Sequence, residues 1–243
     1  MTGQSSSPRS RVRLVQHSRR TDPIHSETDS LLTTHSRRLS QHFIEALVSN
    51  GSVQDFEFDQ ILPPHLREIA DIHWSPVEVA RKIALVLGRR PGTRFIDIGA
   101  GPGKLCLLLA LLTDLTISGI EQRKELVDVA RQLCEANAPD RVRLIHGNML
   151  TLDWDQFDVF YMFNPFQEHV TTRDEIEMID RKIQMTKKLY AKYVDEVLRQ
   201  IGLLKHGKMV ITFHGYGGKL PSSLRLLESF EIDNGTLDIW EKV

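Results

Sequence analysis

The sequence has few cysteines and no long hydrophobic run. These two features argue against a disulfide-stabilised protein and against a membrane-spanning protein. Only two cysteines occur among 243 residues, Cys106 and Cys134, which argues against a disulfide framework and favours a reducing compartment. We therefore predict a cytoplasmic protein in which both cysteines are buried. The longest apolar run, Leu105 to Leu112, is far shorter than the roughly 20 residues of a membrane-spanning helix, so no membrane partner is expected.

An excess of charge of one sign is also missing. The chain carries 31 basic and 32 acidic side chains, for a formal net charge of -1. This balance gives no global attraction for nucleic acid or an acidic membrane, and it favours a small or local substrate. No cysteine and histidine spacing typical of a zinc site occurs, so no metal is predicted. The length suffices for one sizeable core.

The N-terminal part differs in composition from the rest. Residues 1–38 are rich in Ser, Thr and Arg and contain too little apolar material to fold alone, which predicts a disordered basic tail. The tail either contacts a partner such as RNA or is only solvated. Residues 39–90 show short helical patterns and predict a helical cap, in which Ser75 to Glu78 match a capping box with Ser75 as N-cap and Pro76 at the first helical position.

Residues 91–243 alternate between strand and helix patterns and predict the main domain. Strands are expected at residues 94–98, 115–121, 141–146, 157–163 and 208–213. Helices are expected between them, including one at 104–112 and a long one from about 174 to 201. This alternation predicts an α/β fold with a doubly wound parallel sheet. Two alternating runs joined by Asn234 and Gly235 then predict a terminal β-hairpin, so the last strand is antiparallel.

The stretch DIGAGPGK, residues 97–104, places glycines at Gly99, Gly101 and Gly103, directly after the first predicted strand. Glycines let the backbone turn sharply, and they let a ligand approach the N–H groups at the start of the next helix. A phosphate-binding P-loop would need glycine in place of Ile98. The dinucleotide fingerprint would need it in place of Lys104. Neither motif is satisfied.

Asp97 and the three glycines resemble the acidic-x-Gly-x-Gly-x-Gly motif of class I S-adenosylmethionine-dependent methyltransferases, and the resemblance extends over about residues 74–243. It implies a Rossmann-like seven-stranded sheet with the last strand antiparallel. It also implies S-adenosylmethionine as cofactor. In the family, Asp97 would receive the ammonium end of the cofactor's methionine part, and the glycines would pass beneath it.

The resemblance implies further cofactor contacts. Glu121 stands where the family keeps an acid for both ribose hydroxyls, and its two oxygens suit two O–H donors. Gln122 would lie beside the adenine. Asn148 and Met149 stand where the family often brackets that ring, although Asn replaces the usual acid. Trp74 is similar to the segment that roofs the cofactor, where an aromatic face can meet the sulfonium.

Asn164, Pro165 and Phe166 follow the fourth predicted strand and partly match the Asn/Asp-Pro-Pro-Tyr/Phe motif of amino-group methyltransferases, with the second proline missing. That resemblance implies that Asn164 and a nearby carbonyl hold the N–H donors of the acceptor while the aromatic ring stacks on it. A nitrogen of a small molecule or protein is therefore the favoured acceptor. The alternative is that Asn164 and Pro165 only end a strand.

Histidines are the candidate bases near this motif. His169 lies closest, and a neutral imidazole can accept a proton from the acceptor at pH 7. The alternative is an exposed loop histidine without a role. His214 and Tyr216 follow the fifth predicted strand and are expected to line the acceptor pocket.

The leading hypothesis is thus an S-adenosylmethionine-dependent methyltransferase with an unidentified acceptor. Two alternatives stay open at this point. The substituted Asn148 and the shortened acceptor motif leave room for a non-catalytic module that keeps the cofactor fold. The basic tail leaves room for an RNA methyltransferase. The sequence does not indicate the oligomeric state.

Overall fold

The computed structural model of the chain describes residues 37–88, 90–170, 179 and 186–243. The strands within these residues are β1 (Arg94–Ile98), β2 (Thr116–Glu121), β3 (Val142–His146), β4 (Val159–Phe163), β5 (Met209–Phe213), β6 (Leu224–Ile232) and β7 (Gly235–Lys242). The α-helices are α1 (Gln41–Val48), α2 (Asp55–Asp59), α3 (Pro64–Arg67), α4 (Ala70–His73), α5 (Val77–Leu87), α6 (Lys104–Leu112), α7 (Lys124–Asn137) and α8 (Lys187–Leu203). Short 3-10 turns span Met149–Thr151, Trp154–Gln156 and Gln167–His169.

The strands form one seven-stranded sheet in the order β3-β2-β1-β4-β5-β7-β6. β1 pairs in parallel with β2 and β4, and β7 runs antiparallel to both β5 and β6. This confirms the predicted doubly wound α/β sheet and its antiparallel last strand. The helices α1 to α5 fall within the predicted helical cap, whereas residues 1–36 of the predicted tail lie outside the described residues.

Both faces of the central strand are buried, as its unbroken apolar character requires. Phe95 packs into one core, and Ile96 and Ile98 pack into another on the opposite face. Cys106 and Cys134 are free and buried, as predicted. Among the described helices, none is long and apolar enough to cross a membrane.

The long helix predicted from about residue 174 is confirmed only from Lys187 onward. The structure starts α8 at Lys187, because Thr186 is extended and its side chain accepts a hydrogen bond from Leu189 N at 3.1 Å, which caps the helix. Ile179 forms a bend, and its N–H donates to Glu168 Oε1 at 3.1 Å. The other positions from 174 to 185 lie outside the described residues. The apolar spacing alone could not reveal this competing side-chain cap.

The predicted capping box at Ser75 was also wrong. Helix α5 begins at Val77 with Pro76 as its N-cap residue, and Ser75 Oγ instead forms a hydrogen bond of 2.7 Å with the buried Tyr161 hydroxyl. The cap comes from a distant residue, since Asp55 Oδ1 accepts from Val77 N at 2.8 Å. The buried tyrosine needs a partner for its hydroxyl, and this need outweighs the local cap.

The terminal hairpin is confirmed, but its turn lies one residue earlier than predicted. Ile232 pairs with Gly235, so Asp233 and Asn234 form the turn, and Asp233 adopts φ +52°. Gly235 is the first residue of β7. A Cβ atom at Gly235 would collide with His214 Nε2, so the glycine serves close packing rather than the turn itself.

Candidate active site

The carboxyl ends of the central strands surround a cavity of about 600 Å³. This edge of an open parallel sheet is the usual ligand site of such folds. A smaller cavity of about 50 Å³ adjoins it and shares Gly99, Glu121, Arg123 and Pro165 with it. The large cavity is also lined by residues from the N-terminal helices and from the ends of β4 and β5, among them Asp55, Trp74, Lys104, Asn164 and His214.

The glycine loop takes a backbone form that only glycine adopts readily. Gly99, Gly101 and Gly103 have φ values of +86°, +54° and +80°. A Cβ atom at Gly101 would lie 2.7 Å from the Trp74 ring, and one at Gly103 would lie 2.9 Å from Ala130 Cβ. Gly99 and Gly101 line the large cavity, whereas Gly103 lets the loop pack against α7.

Replacing Gly101 with alanine is therefore expected to cost more stability than the same change at Gly92. Gly92 also has a positive φ, +77°, but its Cβ atom would meet nothing within 4 Å. Gly92→Ala should cost about 1–2 kcal/mol from left-handed strain alone. Gly101→Ala should cost about 1–3 kcal/mol more, because the methyl group collides with Trp74. Urea unfolding of both variants measures the difference, and equal losses would contradict the predicted collision.

Glu121 lies at the junction of the two cavities and is 6% exposed. Its Oε2 accepts from Gly101 N at 3.2 Å, and its Oε1 accepts from Arg123 N at 2.8 Å. Burial raises the pKa of Glu121, while these N–H donors and the Arg123 charge oppose the rise. The Arg123 guanidinium also lies 3.8 Å from Oε1. A carboxylate has about four acceptor positions, so these hydrogen bonds do not fill all of them.

The small cavity brings together Gln122, Asn148 and Met149, as the predicted adenine contacts require. Asn148 Oδ1 accepts from Leu150 N at 3.0 Å, and its Nδ2 donates to the Tyr193 hydroxyl at 2.6 Å. Asn148 therefore caps the turn at Met149–Thr151 and also holds the side chain of Tyr193 from α8. Nothing in the sequence singles out Tyr193, because its position in the cavity depends on how α8 packs on the sheet.

Phe166 faces the small cavity rather than the large one. Its ring stacks on Tyr193 with 5.0 Å between centroids and 10° between planes. Asn164 and Pro165 do line the large cavity. The structure thus divides the predicted acceptor motif between the two cavities, with the aromatic ring on the side of Asn148.

Asp97 lines neither of the two cavities. It shares a strand face with Phe95, and α6 covers that face, so Asp97 is 4% exposed and Cys106 Sγ lies 3.8 Å from its Oδ2. Burial raises the pKa of Asp97 to about 7, with the nearby Glu121 charge adding to the rise. The predicted contact of Asp97 with the cofactor ammonium lacks a direct path in this geometry.

Trp74 lines the large cavity and is held firmly in place. Its Nε1 donates to Leu66 O at 3.1 Å, and its ring lies against Gly101. The indole thus covers the glycine loop from the side of the N-terminal helices. This position agrees with the predicted roof over the cofactor site.

Unusual backbone conformations cluster on the opposite wall of the large cavity. Five non-glycine residues of the described part have positive φ, and three of them, Asn164, His214 and Asp233, line this cavity. Asn164 N donates to Gly215 O at 3.0 Å, which ties the ends of β4 and β5 together. Strained residues of this kind concentrate at functional sites.

The predicted candidate base His169 does not line either cavity. It is 7% exposed, and its Nδ1 accepts from Thr186 N at 3.2 Å, which places it at the start of α8. Burial lowers the pKa of His169, and the nearby Glu168 charge opposes this effect.

His214 does line the large cavity, with its ring stacked 5.6 Å from Phe163. Tyr216, predicted beside it, is instead buried and donates to Lys219 O at 3.0 Å.

A comparison with protein families decides the general identity of the chain. The family model described as a methyltransferase domain matches residues 89–226, which is more than half of the chain. The chain belongs to the methyltransferase-domain family. The methyltransferase is therefore an enzyme with S-adenosylmethionine as cofactor, which confirms the resemblance found in its sequence and disfavours the non-catalytic alternative.

Two solved structures are examples of proteins to which the methyltransferase is similar. TrmN from Thermus thermophilus is 17% identical with a TM-score of 0.52, covering 72% of this chain and about half, 52%, of that one. An RNA methyltransferase from Salinibacter ruber, crystallised with S-adenosyl-L-homocysteine, is 18% identical with a TM-score of 0.48, covering 69% of this chain and 92% of that one. No curated protein sequence matches the methyltransferase significantly.

One charged cluster of the methyltransferase was missed by the sequence analysis. Lys104, which follows the glycine loop, is 2% exposed, and its Nζ lies 2.7 Å from Asp55 Oδ1 and 2.9 Å from Asp59 Oδ1. A lysine directly after the loop was visible in the sequence, but its partners lie in a separate helical segment. Within the described residues, no group of three or more His, Cys, Asp or Glu side chains is arranged to hold a metal ion.

Proposed function

We propose that the methyltransferase transfers the methyl group of S-adenosylmethionine to a nitrogen of an amine-bearing small molecule or protein. The observation that carries this proposal is Asn164, a non-glycine residue with φ +38° at the carboxyl end of β4 and on the wall of the large cavity. Its Nδ2 is 3.4 Å from Gln167 Oε1, a long contact. Its Oδ1 remains available to accept an N–H of the acceptor and to orient the nitrogen lone pair.

The residues at the two cavities fit S-adenosylmethionine. Gly99 and Gly101 form a cradle that side chains would fill, and the Glu121 carboxylate lines both cavities, where it can accept from a ribose hydroxyl. Gln122 and Met149 line the small cavity, which would take the adenine. That cavity holds only about 50 Å³, less than a purine ring occupies, so we expect the stacked rings of its wall to separate when the cofactor binds.

When bound, the cofactor supplies an electrophilic methyl group on a sulfonium sulfur. The chain contributes alignment, and in favourable cases positioning lowers a barrier by about 7–11 kcal/mol. Asn164 would hold the acceptor from β4, and His214 at the end of β5 lines the same wall. We therefore assign the role of candidate base to His214 rather than to His169, because His169 lies outside the cavity.

The charge of the large cavity favours a neutral or cationic acceptor over RNA. Five described carboxylates line it, those of Asp55, Asp71, Glu121, Glu168 and Asp233. The cations Lys104 and Arg123 also line it, but each is paired with acidic side chains. A phosphate backbone would be repelled here, whereas binding of RNA depends on basic side chains. The same carboxylates would attract a cationic amine.

Incubation of the methyltransferase with methyl-labelled S-adenosylmethionine and cell extracts tests which molecule accepts the methyl group. We expect label in a base-stable N-methyl product from a metabolite or protein fraction, and we expect Asn164→Ala to reduce it by about 100-fold, since misplacement of a reactant has effects of this size. The affinity for S-adenosylhomocysteine should not change. Asn234→Ala is the matched control, because it removes another amide from the same cavity.

Other outcomes would overturn the nitrogen assignment. A base-labile label would indicate an ester, and label recovered in RNA would favour the alternative acceptor. An equal loss of product in the Asn234→Ala variant would contradict the proposal that Asn164 holds the acceptor nitrogen.

A further inference from the structure

We propose that the amino-acid end of S-adenosylmethionine docks on the ion pair between Asp55 and Lys104, so that the N-terminal helices complete the cofactor site. This inference rests on the proposed placement of the ribose at Glu121. Asp55 lies outside residues 89–226, the region matched by the family model. The contact therefore involves a part of the chain that the family match does not cover.

The position of the ion pair follows from the order of the cavity walls. The small cavity and Glu121 would hold the nucleoside, so the amino-acid end must extend into the large cavity. There Gly101, Trp74, Asp55 and Lys104 line the wall next to the glycine loop. The wall at the ends of β4 and β5 carries Asn164 and belongs to the acceptor.

The cluster presents one carboxylate toward the open space. The side chains of Lys104 and Asp59 are 3% and 4% exposed, whereas that of Asp55 is 37% exposed. Both Asp55 and Lys104 line the cavity, and Asp59 does not. The Lys104 ammonium also lies 5.3 Å from the centre of the Phe58 ring, which fixes it from the buried side.

Unused hydrogen-bonding capacity on both partners matches a zwitterion. Asp55 Oδ1 serves Lys104 Nζ and Val77 N, while Oδ2 has no hydrogen bond among the described contacts. Of the three Lys104 donor hydrogens, Asp55 and Asp59 take two. The free oxygen suits an ammonium and the third hydrogen suits a carboxylate. An amino acid placed against the pair would meet opposite charges at both ends.

The other carboxylates are less suitable for the ammonium. Asp97 is buried beneath α6 and lines neither described cavity. Glu168 is paired with Arg123. Asp233 belongs to the acceptor wall, because it forms the hairpin turn beside His214. Asp71 lines the cavity but has no cation partner among the described ion pairs, so it offers no group for the carboxylate of the ligand.

Calorimetry with two ligands tests the assignment. S-Adenosylhomocysteine carries the amino-acid end, and 5′-methylthioadenosine keeps the adenine and ribose but lacks it. Asp55→Asn retains an oxygen for Val77 N and removes the charge. We expect the affinity of the full chain for S-adenosylhomocysteine to fall about 10- to 100-fold, the scale of a charged hydrogen bond. The affinity for 5′-methylthioadenosine should stay within about twofold. Asp71→Asn, a matched acid of the same cavity, should change neither affinity.

Three results would overturn the inference. Equal losses for both ligands would show that Asp55 only supports the fold, and unchanged affinities would place the ammonium elsewhere. If Asp55→Asn does not fold, equal affinities of the wild-type protein for S-adenosylhomocysteine and 5′-methylthioadenosine would still overturn the inference, because a docked amino-acid end should add at least about tenfold in affinity. Glu121→Ala separates this inference from its premise, since it should weaken both ligands. If Glu121→Ala weakened the binding of neither ligand, the proposed ribose contact of Glu121 would be wrong.

Discussion

Replacement of Lys104 by methionine is expected to lower the free energy of unfolding by about 3–5 kcal/mol, the cost of leaving a buried carboxylate without its partner. Asp59 is 3% exposed and lies 2.9 Å from Lys104 Nζ. Burial raises the pKa of Asp59, and the Lys104 charge opposes the rise. Without Lys104, the pKa of Asp59 rises further. The stability loss is therefore smallest at low pH, where Asp59 is protonated in both states, and grows as the pH rises.

Urea unfolding at pH 5 and pH 8 measures this effect. The double variant Lys104→Met with Asp59→Asn should regain part of the stability at pH 8, because it removes the uncompensated charge. Lys124→Met is the control, since its partner Asp128 is exposed and exposed ion pairs contribute little. A Lys104→Met variant as stable as the Lys124→Met variant would contradict the buried ion pair.

Replacement of Glu121 by alanine is expected to weaken binding of S-adenosylhomocysteine by about 10- to 150-fold, which corresponds to about 1.5–3 kcal/mol for hydrogen bonds to a charged group. The ribose hydroxyls would lose their acceptor. The loop would also lose support, because Glu121 accepts from Gly101 N and from Arg123 N. The effect on affinity therefore combines a lost contact with a less ordered glycine loop.

Glu121→Gln separates these two contributions. The amide keeps one oxygen for a backbone N–H but leaves the other N–H without an acceptor, so we expect an affinity and a stability between those of the wild type and of the alanine variant. Calorimetry and thermal unfolding give the two quantities. An unchanged affinity in the alanine variant would exclude Glu121 from the cofactor site.

The glycine loop shows why part of the site was predictable. Its glycines precede a helix and follow a buried strand, and neighbours along the chain are enough to define that geometry. The same holds for Glu121, which ends the second strand as predicted. Parallel strands bring their carboxyl ends to one edge, so Asn148 and Asn164 were also expected near the cofactor, and both line a cavity.

Other residues depended on packing between distant segments. His169 was predicted as a base from its position after the acceptor motif, yet the backbone turn at Gln167–His169 directs it to Thr186. Asp97 matched the family motif, but α6 covers its strand face. The roles of these residues in binding or catalysis stay predictions, as do the proposed domain boundaries.

The sequence by itself determined the sheet and the glycine loop, because strand periodicity and glycine positions act through local backbone geometry. Its resemblance to a known family, rather than this geometry, indicated the cofactor. Only the tertiary structure decided which charges face the cavity. Asp55 meets Lys104, and Ser75 meets Tyr161, through contacts between segments far apart in the chain. Such pairs form because buried polar groups must find partners in space, and sequence spacing does not record which partner is near.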